Sequence, residues 1–412
     1  MNSSSFDVDV VFTWVDGADP KHMAERAKYI KTNKTKVHWS SHQKNRWRSS
    51  GEIDASVQSI LKFMPWVRKI FIVCSLGQKP SLSLKSTTEQ NKIVIVQDYQ
   101  FCPMTPIFNS HAIEANLHKI PDLANHFIYF CDDEFVGSPL HPSFFFQFSS
   151  APGGNSHHKP KIFTSSRLLP SHPQHHATSG IPGYLAARIN DGKLLTHLYG
   201  KKARREPIHQ ARPLSKECIQ KAWSHPILHK HLAQTSRSRF RSPSDVEPVI
   251  LFSWVGIETS LCVASATGVR SIYLEISDHC NLDSHAKKIN LRKPHLYCFN
   301  DVMKNPSEKH LRAYEKFLKK DLLHCSSKVS PNQQQMNMVQ KTPVKLEEVV
   351  YPIIPTRPKV DLSTVKILLR KKRAINKKTK NKNVQVLPKK RRIIRMNPSK
   401  KKKVLRVNHI RP

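Results

Sequence analysis

The chain has 412 residues, 38% of them hydrophobic, and carries 68 Lys and Arg against 30 Asp and Glu, a formal net charge of +38. That length predicts one large domain or a core with a small companion, and the low apolar share predicts that part of the chain lies outside any core. No uncharged apolar run approaches the roughly 18 residues of a transmembrane helix, and Met1 to Asp7 lacks the basic start and apolar stretch of a secretory signal.

The eight cysteines form no C-x-x-C pair, which speaks against a zinc ribbon or a thioredoxin-like site. Reduced thiols in a cytoplasmic setting are the expectation.

In chain order, Phe6, Val8, Val10 and Phe12 alternate as in a strand that ends at Trp14-Val15-Asp16-Gly17. Residues 53–63 place Ile53, Val57, Ile60 and Leu61 on one helical face, closed by Pro65. Residues 69–74 and 93–96 read as buried strands. Ser110 is expected to cap a helix with Ile113, Leu117 and Ile120 on one side. Residues 127–130 form a strand that runs into Cys131-Asp132-Asp133.

Strands alternating with helices predict an α/β fold with a mostly parallel sheet. Ligands bind such sheets beyond the carboxyl ends of the strands, and two of these ends are acidic: Asp16, and Asp132 with Asp133. Residues 150–212, rich in Pro, Gly, His and Ser, are expected to be long loops. Helices are expected over 214–224, over roughly 246–264, and after Ser307, the last burying Leu311, Tyr314, Phe317 and Leu318.

From residue 366 to the end there are 20 Lys and Arg and no acidic residue, which leaves +18 for the first 365 residues. This tail is expected to be disordered by itself. Its clusters suit nonspecific binding of a polyanion or an anionic membrane surface, and they also resemble nuclear-targeting runs. No Phe, Tyr or Trp follows Tyr351, which argues against a single-strand nucleic-acid reader.

Four blocks carry the functional signal. The first is Asp9-Val10-Val11-Phe12-Thr13-Trp14-Val15-Asp16-Gly17-Ala18-Asp19-Pro20. The second holds Arg46-Trp47-Arg48, Gly51-Glu52, Pro65-Trp66-Val67-Arg68, Phe108 to Glu114, and Phe127 to Asp133. The third is His209 with Arg212-Pro213-Leu214, then Thr235 to Ser242 with Asp245. The fourth is Cys298-Phe299-Asn300-Asp301, a helix and Ser326-Ser327.

In order and spacing these blocks resemble the Stealth family, the capsular polysaccharide phosphotransferases and the related N-acetylglucosamine-1-phosphotransferase. The resemblance spans roughly residues 7–328. It implies a transferase domain over 1–328, and composition then predicts a linker over 329–365 and the basic tail over 366–412. It also implies a GT-A-like, nucleotide-sugar transferase sheet with helical additions.

The implied activity is transfer of a hexose-1-phosphate, as for N-acetylhexosamine, from a UDP-sugar to an acceptor sugar hydroxyl. UMP leaves and a phosphodiester forms, in surface or capsular polysaccharide synthesis. The acceptor would be an oligo- or polysaccharide or a glycoprotein glycan.

Such chemistry needs charge neutralisation, positioning and a proton acceptor. Asp132 and Asp133 are the expected ligands of a divalent metal, Mg²⁺, Mn²⁺ or Ca²⁺; if the strand continues, neighbours face opposite ways and only one makes the contact, and the resemblance implies Asp133. Glu114 is expected in the site and His209 as general base. Arg241, then Arg239, would clamp the diphosphate. Asp16, Asp19, Arg48, Asn300 and Asp301 would help bind the donor.

The chain departs from the usual family pattern at Ser49, Asp54 and Cys131, where an acidic residue, an arginine and an asparagine are more common. Two rival readings are a non-catalytic polyanion-binding protein on a decayed transferase core, and a glycosyltransferase attacking the sugar carbon.

Overall fold

The computed structural model describes residues 6–32, 37–150, 156–170, 180–266 and 268–321. The linker, the basic tail and Ser326-Ser327 lie outside the described residues. The described ones all fall within one compact unit, Met1–Asn337.

Strand β1 (Val8–Thr13) is followed by α1 (Pro20–Thr32), whose start is fixed by Asp19 accepting from the His22 amide at 2.7 Å. Helix α2 (Glu52–Phe63) begins after Gly51, whose φ of 95° suits glycine. Next come β2 (Ile70–Cys74), α3 (Thr87–Lys92) and β3 (Ile93–Gln97). Helix α4 (Ser110–Glu114) precedes β4 (His126–Cys131) and β5 (Glu134–Val136). After α5 (Pro142–Phe145) follow β6 (Phe146–Ser150), β7 (Ser156–Leu168), α6 (Gly183–Tyr199), β8 (Arg205–Pro207) and β9 (Arg212–Ser215).

Helices α7 (Lys216–Ser224), α8 (Pro226–Ser236) and α9 (Pro248–Glu258) lead to β10 (Val263–Ser265) and β11 (Ser271–Ile276). Then α10 (Leu282–Arg292), β12 (Leu296–Asp301) and α11 (Glu308–Lys316) complete the described chain, and Ser307 caps α11 through the His310 amide. Among the described residues no helix is long and apolar enough to cross a membrane.

The expected α/β class with a mostly parallel sheet is what the structure shows. The main sheet has the order β3-β2-β1-β4-β9; only β9 runs antiparallel. Alternation on the central strands sorts side chains to two faces. Val11, Phe127 and Tyr129 pack with α7 and α9 on one face, and Val8, Val10, Phe12, Ile128 and Phe130 pack with α2 on the other. A second sheet, β11-β12-β5, has its own core with Tyr314, Phe317 and Leu318.

Several expectations are corrected. The stretch 150–212 is not loops: it holds the 13-residue β7, the 17-residue α6 and two short strands. Pro, Gly and His dominate the composition there, but pairing of β7 with β6, β8 and β10 overrides it.

The helix expected from Ser110 ends at Glu114, and its cap is Asn109. The Asn116 side chain donates to the Ala112 carbonyl at 2.9 Å, the acceptor a continuing helix would have used. Leu214 lies on β9 rather than in a helix, because Ser215 caps α7 through the Cys218 amide. The helix expected over 246–264 is shorter, and α8 precedes it.

The base of the main sheet is pinned by Asp9. Its fully buried carboxylate accepts from Arg68 (3.0 and 2.6 Å) and from the amides of Lys69 and Ala124 (3.1 and 2.7 Å). Asp9→Ala strips a partner from three residues on two other segments, Arg68 and Lys69 on one and Ala124 on the other. It should lower stability by about 2–4 kcal/mol, read as a shift of the urea midpoint.

Candidate active site

Strands β1 and β4 lie side by side with Thr13 opposite Cys131, where the strand order reverses direction about β1. The crevice beyond such ends is where ligands bind. After β4 the chain turns through Asp132 and Asp133 and enters β5 of the second sheet. The strand therefore does not continue through the acidic pair, and face alternation does not separate the two carboxylates. Both are half-buried.

Glu134, at the start of β5, went unnoticed in the sequence, yet it is fully buried and organises the turn. One oxygen accepts from the Cys131 amide at 3.0 Å, and the other accepts from Arg212 Nη2 at 3.0 Å. Arg212 comes from β9, its guanidinium over the Tyr129 ring. The same Nη2 lies 2.6 Å from Nδ1 of His209.

An arginine can only donate, so His209 Nδ1 accepts and the ring hydrogen sits on Nε2. Desolvation of its inner edge, with Arg212, Arg188 and Arg241 nearby, pushes the His209 pKa well below its usual value, so the ring is neutral.

Ligand atoms of Cys131, Asp133, Glu134 and His209 lie within 4.8 Å of one another. Three of the four already face a cation. Arg212 meets Glu134, His209 and, at 3.8 Å, the Cys131 sulfur. A metal centred there would displace a buried guanidinium.

The Asp132–Asp133 side fits a divalent ion better. Asp133 Oδ1 is buried and has no hydrogen-bond partner among the described residues. Burial first, then Asp132, Glu134 and Glu52, pushes the Asp133 pKa well up. Burial likewise drives Asp132 and the buried Glu52 up to about 7 each, with Asp132 adding to the rise at Glu52. Among the described residues Asp132, Asp133 and Glu52 form no ion pair with an arginine, and crowded, desolvated carboxylates of this kind are the environment a hard cation relieves.

His209 also feels Arg188 and Arg241, which belong to a second, positively charged group. Glu114, buried on α4, accepts from the Tyr129 hydroxyl at 3.1 Å, and Thr13 Oγ1 lies 2.9 Å from that hydroxyl. Burial, then Glu247, raises the Glu114 pKa, while Arg241 and Arg212 oppose the rise. Arg241 Nη2 donates to Ser110 Oγ at 2.7 Å, and its buried Nε has no hydrogen-bond partner among the described residues.

Arg46 forms no ion pair among the described residues, and Arg241 foremost, then burial, brings its pKa down to about 9. Two guanidinium groups that act on one another, with the Glu114 carboxylate as their shared acidic neighbour, leave net positive charge suited to an anion. Gly183 leaves room for this arrangement: a Cβ there would stand 3.0 Å from Arg241 Cγ.

The other expected residues separate by what they touch. Arg48 and Asp301 pair with each other, and Asn45 Nδ2 donates to the Asp301 carbonyl at 2.8 Å. Asn300 is half-buried on β12. Asp16 accepts from the Ala18 amide at 2.9 Å and Asp19 starts α1, so both carboxylates shape the loop after β1. Arg239 is engaged elsewhere: it donates to the Pro106 carbonyl and lies 3.9 Å over the Tyr29 ring.

The departures from the family pattern are absorbed locally. Ser49 Oγ accepts from Trp14 Nε1 at 3.2 Å, and Asp54 binds the amide and hydroxyl of Ser83 at 2.8 and 2.7 Å. Cys131 faces Arg212.

Sequence reasoning missed Glu134, Arg46, Glu52 and Arg188 as members of this cluster. Arg46, Glu52 and Arg212 stood inside the quoted blocks, which was the signal available for them.

Comparison with known proteins agrees with the block reading. Stealth conserved region 1 matches residues 6–34 and conserved region 2 matches residues 46–152. A capsular polysaccharide phosphotransferase of Haemophilus influenzae is 32% identical over 318 residues, 76% of this chain and 82% of the relative. The chain belongs to the Stealth family.

A capsular polysaccharide phosphotransferase of Neisseria meningitidis serogroup B is 31% identical over 74% of this Stealth chain and 80% of its own length. Among solved structures, the galactosyltransferase LgtC with donor and acceptor sugar analogs covers 79% of this chain and 99% of its own. At 8% identity and a TM-score of 0.34 that likeness is too slight to carry an inference.

Two outcomes check the site. Glu134→Ala leaves the Arg212 guanidinium buried without its carboxylate and should cost about 3–5 kcal/mol in urea unfolding. Asp133→Asn should abolish the heat of Mn²⁺ binding in calorimetry while leaving the circular dichroism spectrum unchanged.

Proposed function

We propose that this Stealth protein is a phosphotransferase that moves a sugar-1-phosphate from a UDP-sugar to a saccharide hydroxyl, releasing UMP. The observation that carries the reading is the meeting of two kinds of charge around His209: the Asp133 carboxylate, neighbour of Asp132, has a ligand atom within 4.8 Å of one on the ring, and Arg241, the largest influence on Arg46, acts on the same ring. A diphosphate with a divalent ion satisfies both at once. Arg46 and Arg241 would take its anionic oxygens, and Asp132 and Asp133 would hold the ion. The capsular and exopolysaccharide phosphotransferases among the relatives support a saccharide acceptor.

Asp133, with Asp132, would hold the ion, which when bound neutralises charge on the diphosphate. Arg241 and Arg46 orient the phosphoryl group and stabilise the charge on its oxygens in the transition state. Glu114 holds Tyr129 and faces Arg241, keeping the guanidinium aimed.

His209 has a role different from simple base catalysis in this arrangement. With Arg212 on Nδ1, its Nε2–H is a donor for a phosphoryl oxygen. To take the acceptor's proton instead, the ring would have to give Nδ1–H to Glu134, whose oxygen is 4.0 Å away.

Incubation with a panel of UDP-sugars and an oligosaccharide acceptor should release UMP. Release of UDP would mean attack at the sugar carbon, and no turnover or donor binding would support a decayed core. Arg241→Ala should lower kcat/KM by about 10²–10³. His209→Ala should lose about 10²-fold in kcat, while His209→Gln, which keeps a side-chain N–H, should stay within about tenfold of the parent. Equal losses in both would assign the ring the base role.

A further inference from the structure

Away from the crevice, Cys218 in the first turn of α7 and Cys262 after α9 bring their sulfurs to 3.2 Å across 44 residues of sequence. Both side chains are buried, packed with Ile162 and partly covered by Ile257 and Leu261. Gly256 makes the approach feasible: a Cβ there would stand 2.4 Å from the Cys262 sulfur and 3.2 Å from that of Cys218. The Cys262 amide also donates to the Gly256 carbonyl at 2.9 Å, which holds the second cysteine over the glycine.

We propose that Cys218 and Cys262 are a redox-active dithiol, closed to a disulfide by a peroxide or a small-molecule disulfide, which braces α7 against the end of α9.

The two thiols are not equivalent. Ser215 Oγ lies 3.1 Å from the Cys218 sulfur and donates to it, and Cys218 sits at the positive end of the nine-residue α7. The hydrogen bond from Cys262, and that from Ser215, bring the Cys218 pKa down, while Cys262 is pushed well up. Cys218 is therefore the attacking thiolate and Cys262 the resolving thiol.

With hydrogen peroxide, the Cys218 thiolate takes one oxygen, the O–O bond breaks and hydroxide leaves. Cys262 then displaces that oxygen as water, forming the S–S bond. Overall two thiols and one peroxide give one disulfide and two waters.

The sulfurs have to close by about 1.2 Å to reach bonding distance. A surface cavity of about 450 Å³ lined by Glu217, Lys221, Thr259 and Leu261 brings solvent to the immediate neighbours of both cysteines. The closed loop contains Arg239, Arg241 and Asp245, so the brace anchors both ends of the segment that carries the Arg241 guanidinium.

The full chain is treated with hydrogen peroxide or oxidised glutathione under native conditions, alkylated and digested with trypsin. The expected product joins the peptide 217–221 to the peptide 242–270 and disappears with dithiothreitol. The oxidised chain should melt about 5 °C higher than the reduced one. Cys218→Ser and, separately, Cys262→Ala should each remove both the linked peptide and the shift.

The proposal is overturned if the native protein yields sulfinic acid at Cys218 without a linked peptide. It also falls if the link forms only after denaturation, or if the linked form melts lower.

Discussion

The buried guanidinium of Arg212 joins the two sheets of this protein. It rises from β9 on the main sheet and bonds Glu134 at the start of β5 on the second sheet, with the Tyr129 ring beneath it and His209 beside it. A desolvated charge of this kind is tolerated only when its partners are in place. The turn that carries Asp132 and Asp133 therefore has little freedom, because both of its flanks are held: Cys131 by the Glu134 carboxylate, and Asp133 by the Phe299 amide at 3.0 Å.

That constraint explains how like charges come to be crowded near His209. Left to themselves, Asp132, Asp133 and Glu52 would separate into solvent, as would Arg46 and Arg241. Here Asp132 and Asp133 are held in a turn, Glu52 at a helix start and Arg46 in a short 3-10 helix, so burial and then like charge keep the carboxyl pKa values up, while Arg241 and then burial keep that of Arg46 down. Such a site stores electrostatic cost that a ligand of matching charge relieves on binding. The links between Asn109 and Asp245 (2.9 Å) and between Asn109 and the Ser238 carbonyl (3.0 Å) hold the Arg241 loop against α4 in the same way.

Much of the architecture was legible because it rests on local pattern. The alternation at Val8, Val10 and Phe12, the helical face of Ile53, Val57 and Ile60, and the Ser307 cap each appear where the residues place them. The failures have local causes too. Asn116 cuts α4 short by bonding back to Ala112, and β7 forms from a sequence with weak strand preference because three neighbours pair with it. Glu134 was illegible as a functional residue: one more acid after an acidic pair, its meaning lies in Arg212, 78 residues away.

The sequence by itself determined the family, the α/β class and the strand-end position of the acidic pair, because these depend on short-range periodicity and on blocks read in order. Tertiary structure decided which charges are paired and which are left over. Arg48 is neutralised by Asp301, Arg239 is spent on Pro106 and Tyr29, and the His209 tautomer is set by Arg212. The reason is distance: an ion pair or a tautomer depends on a few ångströms between segments that the chain separates by tens or hundreds of residues.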